Sequence, residues 1–238
     1  MSNLDNDIYE FNKIDAYNKL QEAVQYFCGE NKEQNFDKFM VLCKMSALQD
    51  NSHSQYIMGI FYEDGIEGLE KYFQTKIEAD EKYYKMTNSK KAMKWYEKSA
   101  NLGDSNAAYN LGVMYKMGQG TEIDYNKAIE WYEKAAEKNN KNALCNLAMM
   151  YRYGEGVEVD YNKSIDLYKK ASTLGSEVAM YQLGYMYNQG IGVDVDFEQA
   201  RIWYEKSANL GYSDAQCNLG YIYQEGLGIE KNYEEAIR

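Results

Sequence analysis

The chain has no proline and only one histidine, His53, in 238 residues. The missing proline carries no functional weight. The missing histidines do: a metal site built on several imidazoles is impossible, and a histidine-based triad has only His53 to use. No S-x-x-K motif occurs. No apolar run approaches the roughly 18 residues of a membrane span. The start, MSNLDNDIYEF, lacks the basic and apolar regions of a secretory signal. Positive charge is in deficit, with 26 Lys and Arg against 37 Asp and Glu, a net −11. That balance argues against nucleic acid or an anionic membrane as the main partner, since both need a basic face. The four cysteines form no C-x-x-C pair, and nothing calls for a cofactor. Reduced structural thiols in a cytoplasmic protein are the expectation.

What is present is a phrase written four times. AAYNLGVMYKMGQG, ALCNLAMMYRYGEG, AMYQLGYMYNQGIG and AQCNLGYIYQEGLG begin at Ala107, Ala143, Ala179 and Ala215, a spacing of 36 residues. A fixed period of this size predicts stacked repeats and overrides any motif found inside one copy. Cys145 and Cys217 hold the same place two repeats apart. Two helix pairs separate them, roughly 20 Å, too far for a disulfide.

Within residues 107–142, Ala108, Leu111, Gly112 and Tyr115 share one helical face. Gly118 stands where that helix would stop, Gly120 keeps the loop permissive, and Asp124 sits where an N-cap belongs. Ala128, Trp131, Tyr132 and Ala135 then mark one face of a second helix. The small residues let the helices approach, and the aromatics are expected to fill the space between repeats. The Gly-x-Gly follows a helix, with no strand before it, and recurs once per repeat. It therefore reads as a helix stop, and a phosphate-binding loop is the minor alternative.

Upstream the pattern degrades. Residues 54–65 read as a first helix and 91–100 as its second, with 17 extra residues between Ile66 and Thr87. Leu69, Phe73 and Ile77, with the pairs Glu78–Lys82 and Glu81–Lys85, predict added helix there. Leu42, Cys43, Ser46 and Ala47 align with Trp95, Tyr96, Ser99 and Ala100; Ile14, Tyr17, Val24 and Phe27 suggest a further amphipathic helix. The expected organisation is a divergent cap over 1–53, then repeats over 54–106 (insertion 66–87), 107–142, 143–178, 179–214 and an incomplete 215–238.

The full pattern, A-x-x-x-L-G-x-x-Y-x-x-G-x-G-(V)-x-x-D-x-x-K-A-x-x-W-Y-x-K-A-A, resembles the Sel-1-like repeat family, a relative of the tetratricopeptide repeat. KAIEWYEKAA at Lys127–Ala136 and ARIWYEKSA at Ala200–Ala208 carry the resemblance. It covers residues 54–238 and departs from the family in having no proline after the Gly-x-Gly-Val segment. The resemblance implies an all-α solenoid, a right-handed superhelix of antiparallel helix pairs with first helices lining the concave side. It also implies roles in complex assembly. Some secreted, cysteine-rich members are linked to β-lactam binding or hydrolysis. They carry paired cysteines in each repeat, which this chain lacks.

The second helices turn mostly charged or polar residues outward, among them Glu130, Glu133, Glu137, Asp166, Glu198 and Glu205. The first helices differ. Asn110, Val113 and Met117 are followed by Asn146, Met149 and Tyr153, then Gln182, Tyr185 and Gln189, then Asn218 and Tyr221. An apolar and amide stripe beside a charged face marks a candidate binding surface. The amides can bond an extended backbone in either sense, and Tyr, Met and Val can offer shallow pockets. The alternative is that these residues only pack across neighbouring first helices. The expected function is a non-enzymatic scaffold or adaptor holding a protein or peptide partner in its groove. The rival is an enzyme, either a hydrolase of the family's β-lactam kind or an array fused to a catalytic domain beyond residue 238. No feature sets an oligomeric state.

Overall fold

The structure, a computed structural model, describes residues 3–77, 79, 83 and 86–236, with side chains from residue 12 onward. Among the described residues there is helix and no strand. Two compact units follow one another, Met1–Trp131 and Tyr132–Arg238. The first holds α1 (Asn3–Cys28), α2 (Phe36–Leu48), α3 (Ser52–Phe73), α4 (Ser89–Asn101) and α5 (Ser105–Met117). The unit boundary falls inside α6 (Tyr125–Glu137). The second unit continues with α7 (Lys141–Tyr153), α8 (Tyr161–Thr173), α9 (Glu177–Gln189), α10 (Phe197–Asn209), α11 (Ser213–Glu225) and α12 (Tyr233–Ala236). From α1 to α5, and again from α7 to α12, each helix packs on the next in chain order. This is the α-solenoid of helix pairs that the 36-residue period predicts.

Local chemistry sets the ends of each pair. Gly118, Gly154, Gly190 and Gly226 close the first helices in the left-handed region, at φ 70, 72, 67 and 70°. Side chains other than glycine rarely adopt that conformation. The next turn is then closed by one recurrent bond: the amide of the N-cap residue donates to the carbonyl of the repeat tyrosine. It joins Asp124 to Tyr115 (2.9 Å), Asp160 to Tyr151 (2.9 Å), Asp196 to Tyr187 (3.0 Å) and Asn232 to Tyr223 (2.9 Å). The same Asp side chains accept from Lys127, Lys163 and Gln199, an N-cap worth about 1 kcal/mol each.

The insertion leaves this geometry intact. Asn88 still donates to Tyr62, at 2.6 Å, although the loop between them is longer. Gly65, aligned with Gly118, takes φ 70° and ψ −149°, and the chain resumes helix as far as Phe73 in place of the Gly-x-Gly loop. Helix was expected here, and it forms over the first part of the insertion. Leu69 and Ile77 are buried. The Phe73 ring lies 4.8 Å from Phe27 and 5.9 Å from Phe39, so the added helix covers the first helix pair. Gln34 ties the returning strap by donating to the Lys76 carbonyl at 2.9 Å. The expected Glu78–Lys82 and Glu81–Lys85 pairs lie outside the described residues.

Two expectations about the core are corrected. On α1 the buried row is Ala16, Leu20, Ala23 and Phe27, while Ile14 and Tyr17 point to solvent. Small residues at the contact let α1 approach α2, and the Ser46 hydroxyl donates to the Ala16 carbonyl across it. On the second helices the fully buried aromatics are Tyr96, Tyr132, Tyr168 and Tyr204; Trp95, Trp131 and Trp203 are only half-buried. Neighbours in a helix point about 100° apart, so one of the pair takes the core and the other its flank. Lys98 and Lys206 cover the exposed faces of Trp95 and Trp203 at 4.9 and 4.1 Å. The core tyrosines sit on the small residues of the first helices. A methyl group at Gly59 or Gly184 would come within 2.3 or 2.7 Å of the Tyr96 or Tyr204 ring.

Candidate interaction surface

Glu130, Glu133, Glu137, Asp166 and Glu198 are exposed, as expected of a solvated outer face. Glu205 is not: it is half-buried, paired with Arg201, and accepts from the Tyr223 hydroxyl at 3.0 Å. His53 is exposed at the start of α3, where its Nε2 lies 3.1 Å from the Tyr72 hydroxyl. Among the described residues, no group of three or more His, Cys, Asp and Glu could hold a metal ion. The four cysteines are free. No described helix is long and apolar enough to cross a membrane.

In the first unit the stripe consists of half-buried Asn110 and Val113 and exposed Met117, all on α5. Asn110 lies against the hydroxyls of Tyr56 and Tyr96. The Tyr96 hydroxyl donates to Glu63 at 2.6 Å. Burial raises the Glu63 carboxyl above its usual range, against the lowering effect of that bond. Burial also pushes Tyr56 up to about 12.

In the second unit the stripe runs over α7, α9 and α11. Asn146, Met149, Gln182, Tyr185 and Asn218 are half-buried; Tyr153, Gln189 and Tyr221 are exposed. The amides divide by role. Asn146 donates to the Tyr132 hydroxyl at 3.1 Å, so its side chain is committed to packing. Asn218 approaches the Tyr204 hydroxyl without reaching hydrogen-bond geometry. Gln182 accepts from Arg152 at 2.9 Å. The buried hydroxyls of Tyr168 and Tyr204 are left with no hydrogen-bond partner, and burial raises both.

Arg152 is the residue that sequence reasoning passed over. It is 9% exposed, the one cation among the buried side chains of the second unit's described residues. Its guanidinium lies 5.0 Å from the Tyr153 ring and 4.9 Å from the Tyr185 ring, between two members of the stripe. The signal was available: Lys116 and Arg152 recur one residue before Met117 and Tyr153. A charge at helical spacing usually means a solvated face, and this one is buried.

The Sel1 repeat profile matches residues 52–72, 84–104, 105–140, 141–176, 178–212 and 213–238. The structure is similar to that of a Sel1 repeat protein from Oxalobacter formigenes, with TM-score 0.76 and 25% identity, over 94% of this chain and 84% of that one. It is also similar to a protective antigen present in uropathogenic Escherichia coli strains displaying an SLR fold, with TM-score 0.62 and 26% identity. That match covers all of this chain and 55% of the antigen, so this chain spans about half its length. No curated protein matches the chain. The repeated helix pairs, their glycine stops and their small-residue seats for tyrosine thus agree with the profile over most of the length, and the chain belongs to the Sel1 repeat family.

Proposed function

We propose that this chain is a non-catalytic scaffold that holds an extended segment of a partner protein along its first helices, in a cytoplasmic setting. Sel1 repeat proteins are in general protein-interaction scaffolds. The observation that carries the reading is the contrast between faces. Met117, Tyr153 and Tyr221 are large, apolar and 58–60% exposed on the first helices. The corresponding outer positions of the second helices carry solvated carboxylates. Exposed apolar groups grouped on one face mark an interaction site, whereas scattered ones need no explanation. In this reading residues 1–53 cap the array; the binding side chains are Val113 and Met117 beside Asn110 in the first unit, and Met149, Tyr153, Tyr185, Gln189 and Tyr221 beside Gln182 and Asn218 in the second. Free cysteines agree with the compartment. A hydrolase reading finds no support in a chain without S-x-x-K or paired cysteines.

The test is capture of the native partner by the full chain, then affinity measurement. Replacing Met149, Tyr153 and Tyr221 together with serine is expected to weaken binding by about 2 kcal/mol or more, with helicity unchanged. Reversing Glu130, Glu133 and Glu137 to lysine is expected to leave affinity within about 0.5 kcal/mol. Loss of binding in the charge reversal alone would place the partner on the second helices and refute the proposal.

A further inference from the structure

We infer that Arg152 is the receptor for a glutamate side chain of the bound segment, an inference that rests on the scaffold reading above. The guanidinium of a residue that is only 9% exposed needs compensation for the water it has lost. Arg152 forms no ion pair with any described carboxylate. What it has is one bond to Gln182 and the faces of Tyr153 and Tyr185. These fix the guanidinium plane and leave most of its N–H donors unused. The buried Tyr168 hydroxyl approaches the Arg152 guanidinium, close enough to feel its charge and its N–H groups, without reaching hydrogen-bond geometry. A cation with spare donors and an orphaned hydroxyl from a second helix thus converge under the exposed Tyr153 ring.

The chemistry selects the ligand. A guanidinium fork matches a carboxylate in bidentate fashion, and the hydroxyl can donate to the same group. The chain as a whole bears a net −11, so a single cation balances a single negative charge and a phosphate dianion is disfavoured. The flanking stripe carries amide and apolar side chains that suit a passing backbone. Arg152 is buried while the Tyr153 ring beside it is exposed, so an anion on a stem of its own suits the approach. A glutamate side chain has that reach, and it can slide along the Tyr153 ring.

The probe is a set of N-acetylated, C-amidated hexapeptides with glutamate fixed at the third position, the other positions mixed, and a matched set with glutamine there. Both are passed over the immobilised full chain at about 0.15 M salt and quantified by mass spectrometry. The glutamate set should be retained about 10-fold better, as for a charge-assisted hydrogen bond. Arg152→Met should erase the preference. Tyr168→Phe should reduce it several-fold while leaving the melting temperature equal or higher. Met149→Ser with Tyr221→Ser should lower retention of both sets alike. Equal retention of the two sets by the wild type, still lost in the Met149–Tyr221 variant, overturns this inference and leaves the scaffold standing. Retention of neither set overturns both. If Arg152→Met does not fold, Tyr168→Phe decides: an unchanged preference overturns the proposal.

Discussion

Truncating Tyr204 tests how the solenoid is held together. Its ring is fully buried on α10, 5.8 Å from Tyr181, and rests on Gly184 of α9. Trp203, one residue earlier, is half-buried and covered by Lys206. Tryptophan is the larger side chain and the more familiar anchor, yet the structure assigns it the smaller role. Tyr204→Ala empties a fully enclosed aromatic site and should cost about 3–5 kcal/mol. Trp203→Ala removes contacts on one side only and should cost roughly half as much, about 1.5–2.5 kcal/mol. Tyr204→Phe removes a buried hydroxyl that lacks a partner, so it should be neutral or stabilising by about 1 kcal/mol.

A double-mutant cycle sharpens the test. A methyl at Gly184 would stand 2.7 Å from Tyr204 Cδ1, so Gly184→Ala should cost about 1–3 kcal/mol by overpacking, less the gain of about 1 kcal/mol in helix propensity. With Tyr204 already truncated the methyl has room, and the same change should become stabilising. Urea unfolding of the full chain, followed by circular dichroism, reads all four corners. Equal losses for Trp203→Ala and Tyr204→Ala, or additive effects of Gly184→Ala and Tyr204→Ala, would show that the tyrosine does not sit on this glycine. A clear loss in Tyr204→Phe would show that Asn218 does bond its hydroxyl.

Two further outcomes follow from the first unit and from the helix stops. Glu63 has its carboxyl raised by burial, so the folded state holds that proton more tightly than the unfolded chain. Its contribution is therefore greatest at low pH and is lost as pH rises through the raised value. Glu63→Gln keeps an acceptor for Tyr96 and removes this dependence; from about pH 4 to pH 7 the wild type should lose melting temperature relative to the variant, and parallel curves would refute the assignment. Gly190→Ala forces a side chain onto φ 67° and sets its Cβ 2.9 Å from Val195 Cγ2, so a loss of about 1–2 kcal/mol is expected in the same urea assay, where no loss would mean that the turn relaxes freely.

The fold was legible because its determinants are local and repeated. Gly118 and Asp124 each act on groups within a few residues, and a bond such as that from the Asp124 amide to the Tyr115 carbonyl recurs in every pair. Four copies of one phrase leave little room for another arrangement. The faces were harder to read. Trp131 and Tyr132 are adjacent in sequence, and periodicity alone cannot say which of two neighbours points at the core axis. On α1 the same ambiguity favoured bulky Ile14 and Tyr17 over the small Ala16 and Ala23 that form the contact.

The surface was legible only as a stripe, and the reason is physical. A repeat pattern averages over copies, so it reports what all copies share, which here is packing. Asn146 illustrates this: it matches the family phrase, and its amide is committed to Tyr132. Specific recognition resides where one copy departs from the rest. At the Asn146 position the next repeat has Gln182, whose longer side chain accepts from Arg152 of α7, beside the unpartnered Tyr168 hydroxyl. One substitution in the repeat therefore fixes a cation beside an unpartnered hydroxyl at one point of the stripe. No period-based reading finds such a site, because it exists once.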